Sequence, residues 1–386
     1  MDKKADTRLT VVIVGGGAAG VQVAHDLAPK LQPKHHRLVL VTASQKYTYL
    51  PATLRLIASP DTSFDTARFP YDNVFGSFPG EVKVGVVTSI EQSRGTTEKR
   101  GMIVIDGKDN LLYDVAILAT GSVWKSHLNF PASDEEFEKH VHTWRNRIQD
   151  AKNVVIAGGG AVGIELAGEI KDVYEDKNIV VVQANPLLLG DIYPDKFRKD
   201  IEARLRSRGV KLYLNDMIEG EPDNELTIKT TAGVKLDCDL LISARGGQPN
   251  TKAFKFLRPF PLTDRGYVKV KPTLQVEGHP NIFALGDIIE WPEAKQIIKI
   301  LYGHTDIVVA NVLSFLRGKQ PKRYYKGCMD VLSVSIGKGG GGTYFGGNAL
   351  LDTFSCHGLC LGDACTRIIK AKDLNVPTAR KSVGMP

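Results

Sequence analysis

Cysteine is scarce in this chain. Five occur in 386 residues (Cys238, Cys328, Cys356, Cys360 and Cys365), and none forms a C-x-x-C pair. This argues against a disulfide framework and for a reducing compartment. The spacing of Cys356, Cys360 and Cys365 fits no usual zinc pattern, so no metal site is expected. Long apolar runs are also missing. No stretch reaches 18 residues, and no transmembrane helix is expected. The opening, MDKKADTRLT, has no apolar signal core. Asp2 stands where N-myristoylation needs a glycine. Any membrane contact is therefore expected to be peripheral.

Charge is unevenly placed. From Arg317 onward the chain carries 11 Lys/Arg against 4 Asp/Glu, which equals the whole formal net charge of +7. A basic C-terminal region suits an anionic partner, either a membrane surface or nucleic acid. It also suits a merely solvated surface.

What is abundant is glycine, 38 in all. Leu9 to Val14 reads as a short buried strand. Gly15-Gly16-Gly17-Ala18-Ala19-Gly20 follows, then a helical stretch to about Leu31 and a second strand, Arg37 to Thr42. This is a β-α-β unit of a parallel sheet. It recurs about 140 residues on: strand Asn153 to Ala157, turn Gly158 to Gly163, helix Ile164 to Tyr174, strand Asn178 to Gln183. Each turn has the G-x-G-x-x-G spacing. The first glycine permits the tight turn, the second lets backbone approach a diphosphate, and the third lets helix and strand pack closely. The helix N-terminus then offers free N–H groups to the phosphates. Two such units predict two dinucleotides. Glu165 and Glu169 share a face of the second helix. Glu165 lies close enough to the helix start to reach a bound ring, whereas Glu169 is expected to be solvated.

Between the units, Met102 to Ile105 and Leu111 to Leu118 read as paired strands around Asp106-Gly107. The acidic segment Pro131 to His140 suits a linker. Late in the chain, the strand Ile282 to Leu285 ends in Gly286-Asp287. Tyr325 to Ile336 and Thr343 to Phe345 read as strands around Gly339 to Gly342. Leu350 to Lys372 is weakly amphipathic, with Gly358 and Gly362 arguing against a continuous helix.

Six stretches, in this order, carry a resemblance: VVIVGGG, LPATLRLIAS, ILATGS, GGGAVGIELAGEI, LQVEGHPNIFALGD and KAKDL. From about Leu9 to Val376 the chain resembles the pyridine-nucleotide-disulfide oxidoreductase superfamily. Within it, the chain is most similar to the apoptosis-inducing-factor-like group that includes the ferroptosis suppressors, near type II NADH dehydrogenases. The fold so implied is α/β, with two Rossmann-like dinucleotide-binding domains of glutathione-reductase type and a small C-terminal α+β region. Residues 1–125 and 255–320 would form the FAD-binding domain, 126–254 the NAD(P)H-binding domain, and 321–386 the C-terminal domain.

The resemblance also implies roles. The turn Gly15, Gly16, Gly17, Ala18, Ala19 and Gly20 would cradle the FAD diphosphate. Arg55 would contact FAD near its phosphates, Val87 would touch the adenine through its backbone, and Gly121 would adjoin the cofactor. Asp287 would accept a hydrogen bond from the ribityl chain. Gly158, Gly160 and Gly163 would hold NADH or NADPH. Glu165 would sit near the nicotinamide–flavin stack, and Lys370 would act at the quinone side.

Two departures matter. The acidic ribose ligand expected at the end of the second strand is Thr42, with Ser44 nearby, in the first unit and Gln183 in the second. Both nicotinamide cofactors stay open. The redox C-x4-C of the disulfide reductases is replaced by Tyr47-Thr48-Tyr49-Leu50-Pro51, so electrons should pass to an external acceptor. The expectation is a cytoplasmic NAD(P)H:quinone oxidoreductase, monomer or homodimer, with peripheral contact to a membrane such as that of the mitochondrion or a lipid droplet. Lys295, Tyr302 and His304 are candidates to orient a quinone carbonyl. The alternatives are a cell-death signalling flavoprotein that binds DNA through its basic tail, and a reductase of a small electron-carrier protein.

Overall fold

The computed structural model describes residues 6–92, 100–346 and 358–386. Strand β1 (Leu9–Val14) lies between β2 (His36–Thr42) and Val115–Leu118 in a parallel sheet. Ile282–Ala284 closes one edge and Glu81–Val84 the other. The late strand thus returns to the first sheet. The second sheet repeats the plan: Asn153–Ala157 lies between Asn178–Gln183 and Leu240–Ser243, with Lys211–Leu214 at the edge. Every residue of β1 after Leu9 is buried, as a parallel sheet covered on both faces requires. The fold is α/β, with two Rossmann-like units and a small C-terminal α+β region.

The repeat runs deeper than the glycine turns. After its edge strand each unit inserts three antiparallel strands before returning to the parallel sheet. These are Val87–Glu91, Gly101–Ile105 and Asp109–Tyr113 in the first unit. In the second they are Ile218–Glu219, Thr227–Thr230 and Lys235–Asp237. Asp114 divides what reads in sequence as one strand from Leu111 to Leu118. Its carboxylate accepts the Thr10 N–H at 2.7 Å, and there the chain leaves the antiparallel insertion for the central sheet.

Helices α1 (Ala18–Leu27), α2 (Leu50–Ala58), α3 (Asp134–Asp150), α4 (Ala161–Val173) and α5 (Asp195–Ser207) pack about these sheets. Helix α3 corrects the expected linker, because most of its acidic stretch is helical. Ser133 caps it by accepting the Glu136 N–H, and the acidic residues of the first turn favour the positive end of the helix dipole. Phe137, Val141, Trp144 and Ile148 supply the buried stripe. A second correction concerns Ile297–Leu316. This 20-residue helix has a mean hydropathy of 1.3 over its most apolar window, which is long and apolar enough to cross a bilayer. Lys299, His304 and Asp306 break the apolar run, so the sequence does not reveal it. Half of that window is buried in the fold, where the helix packs on α1.

The C-terminal sheet orders Asp330–Ser335, Gly341–Gly346 and Leu359–Leu361 antiparallel, against α4 and α5. Its first strand starts at Asp330 rather than Tyr325. Tyr325 is instead turned into the fold, donating to the Glu293 carboxylate at 2.8 Å. The expected break in the stretch before Lys372 is present from Gly358 on, as strand, turn and short helix. Leu350 to His357 lie outside the described residues.

His127 is fully buried against α3, with its ring edge-on to Trp144 at 5.9 Å and neither ring nitrogen hydrogen-bonded. Burial pushes its pKa down from 6.5 to about 4. Such a site binds the proton less well than the unfolded chain does. Its stability contribution is complete above pH 6.5 and is lost as pH falls toward 4. The shift is worth about 3 kcal/mol. In chemical denaturation at pH 7.5 and 4, His127→Leu should lose about 3 kcal/mol less than the parent over that span. Equal losses would show that the histidine does not titrate in this way.

Candidate functional site

The two glycine turns divide their labour in the same way. Gly15 has φ +113°, and a Cβ there would lie 2.4 Å from the Ala119 carbonyl oxygen. A Cβ on Gly20 would lie 1.8 Å from the Gly15 oxygen, whereas one on Gly17 would meet nothing within 4 Å. In the second turn, a Cβ on Gly158 would lie 2.8 Å from the Ala244 oxygen and one on Gly163 2.0 Å from the Gly158 oxygen, while Gly160 faces open space. The first and third glycines answer to the protein's own backbone. The middle one leaves room for something that is not protein. Neither α1 nor α4 has a side-chain cap or an acidic residue in its first turn, so both present free N–H groups to an anion.

Two contacts beneath the turns escaped sequence reasoning. Tyr71 donates its hydroxyl to the Gly16 carbonyl at 2.8 Å and lies 3.3 Å from the Thr42 hydroxyl. In the second unit, Gln183 Oε1 accepts the Gly159 N–H at 2.9 Å. Its amide NH2 is thereby the end left for a ligand.

The third motif arrives beside the first. Gly286 has φ +81°, and a Cβ there would lie 3.4 Å from that of Ala19. Asp287 accepts the Ser122 hydroxyl at 2.9 Å. Gly121 accepts the Asn250 N–H at 2.9 Å. Ser122-Val123 pairs antiparallel with Gln248-Pro249 where the chain passes between the two units. The Gly15–Gly20 turn, Gly121 and Asp287 are therefore brought together. Val87 stands apart, opening the antiparallel insertion opposite Ile105.

The structure gives Arg55 a different task from the phosphate contact expected of it. Its guanidinium grips Glu169 with two hydrogen bonds of 2.8 Å and donates to the carbonyls of Ala371 and Lys372 at 2.7 and 3.0 Å. Both side chains are under 10% exposed. Four of five donors are thus committed to protein acceptors. Glu169, expected to be solvated, is buried in this pair. Burial pushes its carboxyl pKa upward, and Arg55 opposes the shift.

Glu165 and Lys370, far apart in sequence, meet directly. The Lys370 ammonium donates to Glu165 Oε1 and, at 3.1 Å, to the Ser333 carbonyl. Glu165 also accepts the Ser335 N–H at 3.3 Å. Tyr49, at the start of α2, donates to the Leu374 carbonyl at 2.9 Å. The KAKDL segment is thus the point at which α2, α4 and the C-terminal region are tied together.

Of the residues expected to orient an acceptor, His304 is buried with both ring nitrogens engaged, which removes it from that role. Lys295 donates to the Ile289 carbonyl at 2.6 Å. Tyr302 is 66% exposed. Among the described residues no cluster of His, Cys, Asp and Glu is arranged to hold a metal. Cys356 lies outside them.

Two uncapped, glycine-led helices on two parallel sheets, with an aspartate returned beside the first, define a two-dinucleotide oxidoreductase. The residues fit a dinucleotide diphosphate at each turn, because Gly17 and Gly160 leave the approach open. The pyridine nucleotide-disulphide oxidoreductase family matches residues 9–301, and the chain belongs to it. It is 38% identical over 330 residues to FAD-dependent oxidoreductase FVFD30 of Flammulina velutipes, covering 85% of this chain and 99% of that protein. It is 28% identical over 386 residues to ferroptosis suppressor protein 1 of Homo sapiens, covering 97% and 96%. Solved structures share the fold, among them the following. The sulfide:quinone oxidoreductase of Aquifex aeolicus has a TM-score of 0.73 at 15% identity, covering 97% of this chain and 91% of that one. The covalent putidaredoxin reductase–putidaredoxin complex has a TM-score of 0.69 at 19% identity, covering 88% and 82%. The chain is an FAD-dependent oxidoreductase that uses NAD(P)H.

The two roles of glycine can be told apart by substitution. Gly17→Ala should keep stability within about 1 kcal/mol, its φ of −81° being open to alanine, yet it should lose FAD. Gly20→Ala should cost about 3 kcal/mol by overpacking. Flavin-to-protein ratio and denaturant midpoints separate the two, and a fully yellow Gly17→Ala would contradict the cradle. Arg55→Ala strands Glu169 without its partner and should cost about 3–5 kcal/mol. A loss below 1 kcal/mol in urea unfolding would refute the buried clamp.

Proposed function

We propose that the chain is an NAD(P)H:quinone oxidoreductase whose acceptor is reduced beside the Glu165–Lys370 pair. Bound FAD supplies the two-electron carrier between nicotinamide and acceptor. The balance is one NAD(P)H, one quinone and one proton giving NAD(P)+ and a quinol. The protein's own share is alignment and the handling of that proton. The Gly15–Gly20 turn, Gly121 and Asp287 hold the flavin, and Gly158, Gly160 and Gly163 hold the nicotinamide dinucleotide. Val87 contributes backbone at the adenine end.

The observation that carries this reading is the meeting of Glu165 and Lys370. Glu165 stands in the first turns of α4, just past the glycine turn of the second unit. Its carboxylate holds the Lys370 ammonium, which has a proton to offer an acceptor oxygen. Lys370 sits in the π-helical turn Arg367–Ala371, whose Ile368 is 81% exposed between the exposed Arg367 and the half-buried Lys370. An outward isoleucine beside the exposed Arg367 suits peripheral contact with an anionic membrane surface, from which an apolar quinone could reach the lysine. The strand Lys46–Thr48 and helix α2 carry no cysteine, and Tyr47-Thr48-Tyr49-Leu50-Pro51 joins them. Electrons therefore have no protein dithiol there. A cytoplasmic protein touching such a surface fits this reading, as monomer or homodimer.

The test is to follow NADH and NADPH consumption by the yellow protein with a short-chain quinone and, separately, with a small electron-carrier protein. Lys370→Met should lower quinone-dependent turnover about 100-fold, while flavin reduction by NAD(P)H in stopped flow should change by only a few-fold. Unaltered quinone turnover in that variant, or turnover with the carrier protein alone, would overturn the proposal.

A further inference from the structure

The flavin-side Gly286-Asp287 turn has a buried support that the assignment of Asp287 does not use. The Gly286 N–H points at His304 Nδ1, 3.2 Å away. A backbone N–H can only donate, so Nδ1 must present its lone pair and the ring proton must sit on Nε2. That Nε2–H donates to Glu293 Oε1 at 3.0 Å. Glu293 also accepts the Tyr325 hydroxyl at 2.8 Å and lies 3.5 Å from the Lys299 ammonium. Lys299 is 2% exposed and reaches Asp330 at 2.7 Å. The Tyr325 ring meets the imidazole edge-on at 4.6 Å. The carboxylate selects the tautomer, and the tautomer offers the acceptor.

His304 reaches this position through a break in helix regularity. It ends the π-helical turn Ile300–His304, and the Thr305 hydroxyl donates to the Ile300 carbonyl at 2.8 Å. A π-turn adds one residue and rotates the next turns of the helix about its axis, which is a recurrent device at functional sites. Here it aims an imidazole at a glycine that needs φ +81° and packs against Ala19 of the diphosphate turn.

We infer that His304 is a positioning residue for FAD: as the Nε2–H tautomer fixed by Glu293, it holds the Gly286 N–H and so sets where the Asp287 carboxylate stands. The inference rests on Asp287 serving the ribityl chain. The two ring nitrogens can be separated by substitution. Asn places its side-chain oxygen near Nδ1, and Gln places its own near Nε2. His304→Asn keeps an acceptor for Gly286, whereas His304→Gln and His304→Ala do not.

The readout is FAD release from diluted holoprotein, followed by recovery of flavin fluorescence. His304→Asn should release FAD within about twofold of the parent, and His304→Gln and His304→Ala about tenfold faster, the loss expected for one hydrogen bond. Equal release in all four proteins, or faster release from Asn than from Gln, would overturn the inference. If the variants do not fold, 15N spectra of histidine-labelled parent protein still decide it: Nδ1 of His304 must show the shift of an unprotonated nitrogen. A protonated Nδ1 would end the case. Asp287→Ala separates the two levels, because retained FAD there would remove the ribityl assignment while leaving the histidine tautomer as measured.

Discussion

One buried guanidinium sets the geometry on which the rest depends. Arg55 leaves the first nucleotide unit on α2, grips Glu169 on α4 of the second unit, and takes two carbonyls from the C-terminal segment. Hydride transfer tolerates little error, since reacting atoms must be held about 3–3.5 Å apart. Two dinucleotide-binding units joined only by strand crossings would not give that. A planar fork with several donors can hold a carboxylate and two carbonyls at once, and a lysine ammonium could not reproduce the arrangement. The pair is costly to desolvate and so is weak evidence of stability gained. Its value is registry, since any slip of one unit against the other would leave a buried charge unpaired.

Within that frame the glycine turns follow from sterics, and they were the most legible part of the chain. The strand-turn-helix pattern and its recurrence stand in the sequence because each depends on residues a few positions apart. The structure then adds what enforces that division between protein and ligand. That separation needs the Ala119 and Ala244 carbonyls, which lie about a hundred residues downstream of the first turn and some eighty downstream of the second. The three-strand insertion in both units was not legible as a repeat, since the lengths of its strands differ.

What sequence could not supply were partners. Arg55 sits in a stretch that resembles a phosphate contact, but a carboxylate 114 positions away claims it. Glu169 reads as solvated because no cation stands three or four positions from it on the helix. Pro131 to His140 reads as a linker on composition alone, yet the i, i+4 spacing of Phe137 and Val141 and the Ser133 cap were present and outweighed that composition. Tyr71 beneath the first turn carries no local signal at all. Its hydroxyl matters only because Gly16 and Thr42 fold over it.

Two π-helical turns recur at the edges of this site, Ile300–His304 and Arg367–Ala371. Each contains one polar side chain turned inward to a carboxylate: His304 to Glu293, and Lys370 to Glu165. Each also contains a large side chain turned outward, Tyr302 at 66% exposure and Ile368 at 81%. In a regular helix, residues two apart already point to different sides, but the turn before and after would keep its register with the core. An added residue breaks that register, so the polar group can be aimed inward without rebuilding the apolar face of the whole helix. The cost is a weaker local ladder. The Thr305 hydroxyl, donating to the Ile300 carbonyl, offsets part of it in the first turn. The same irregularity therefore gives the site both a fixed interior group and an exposed neighbour.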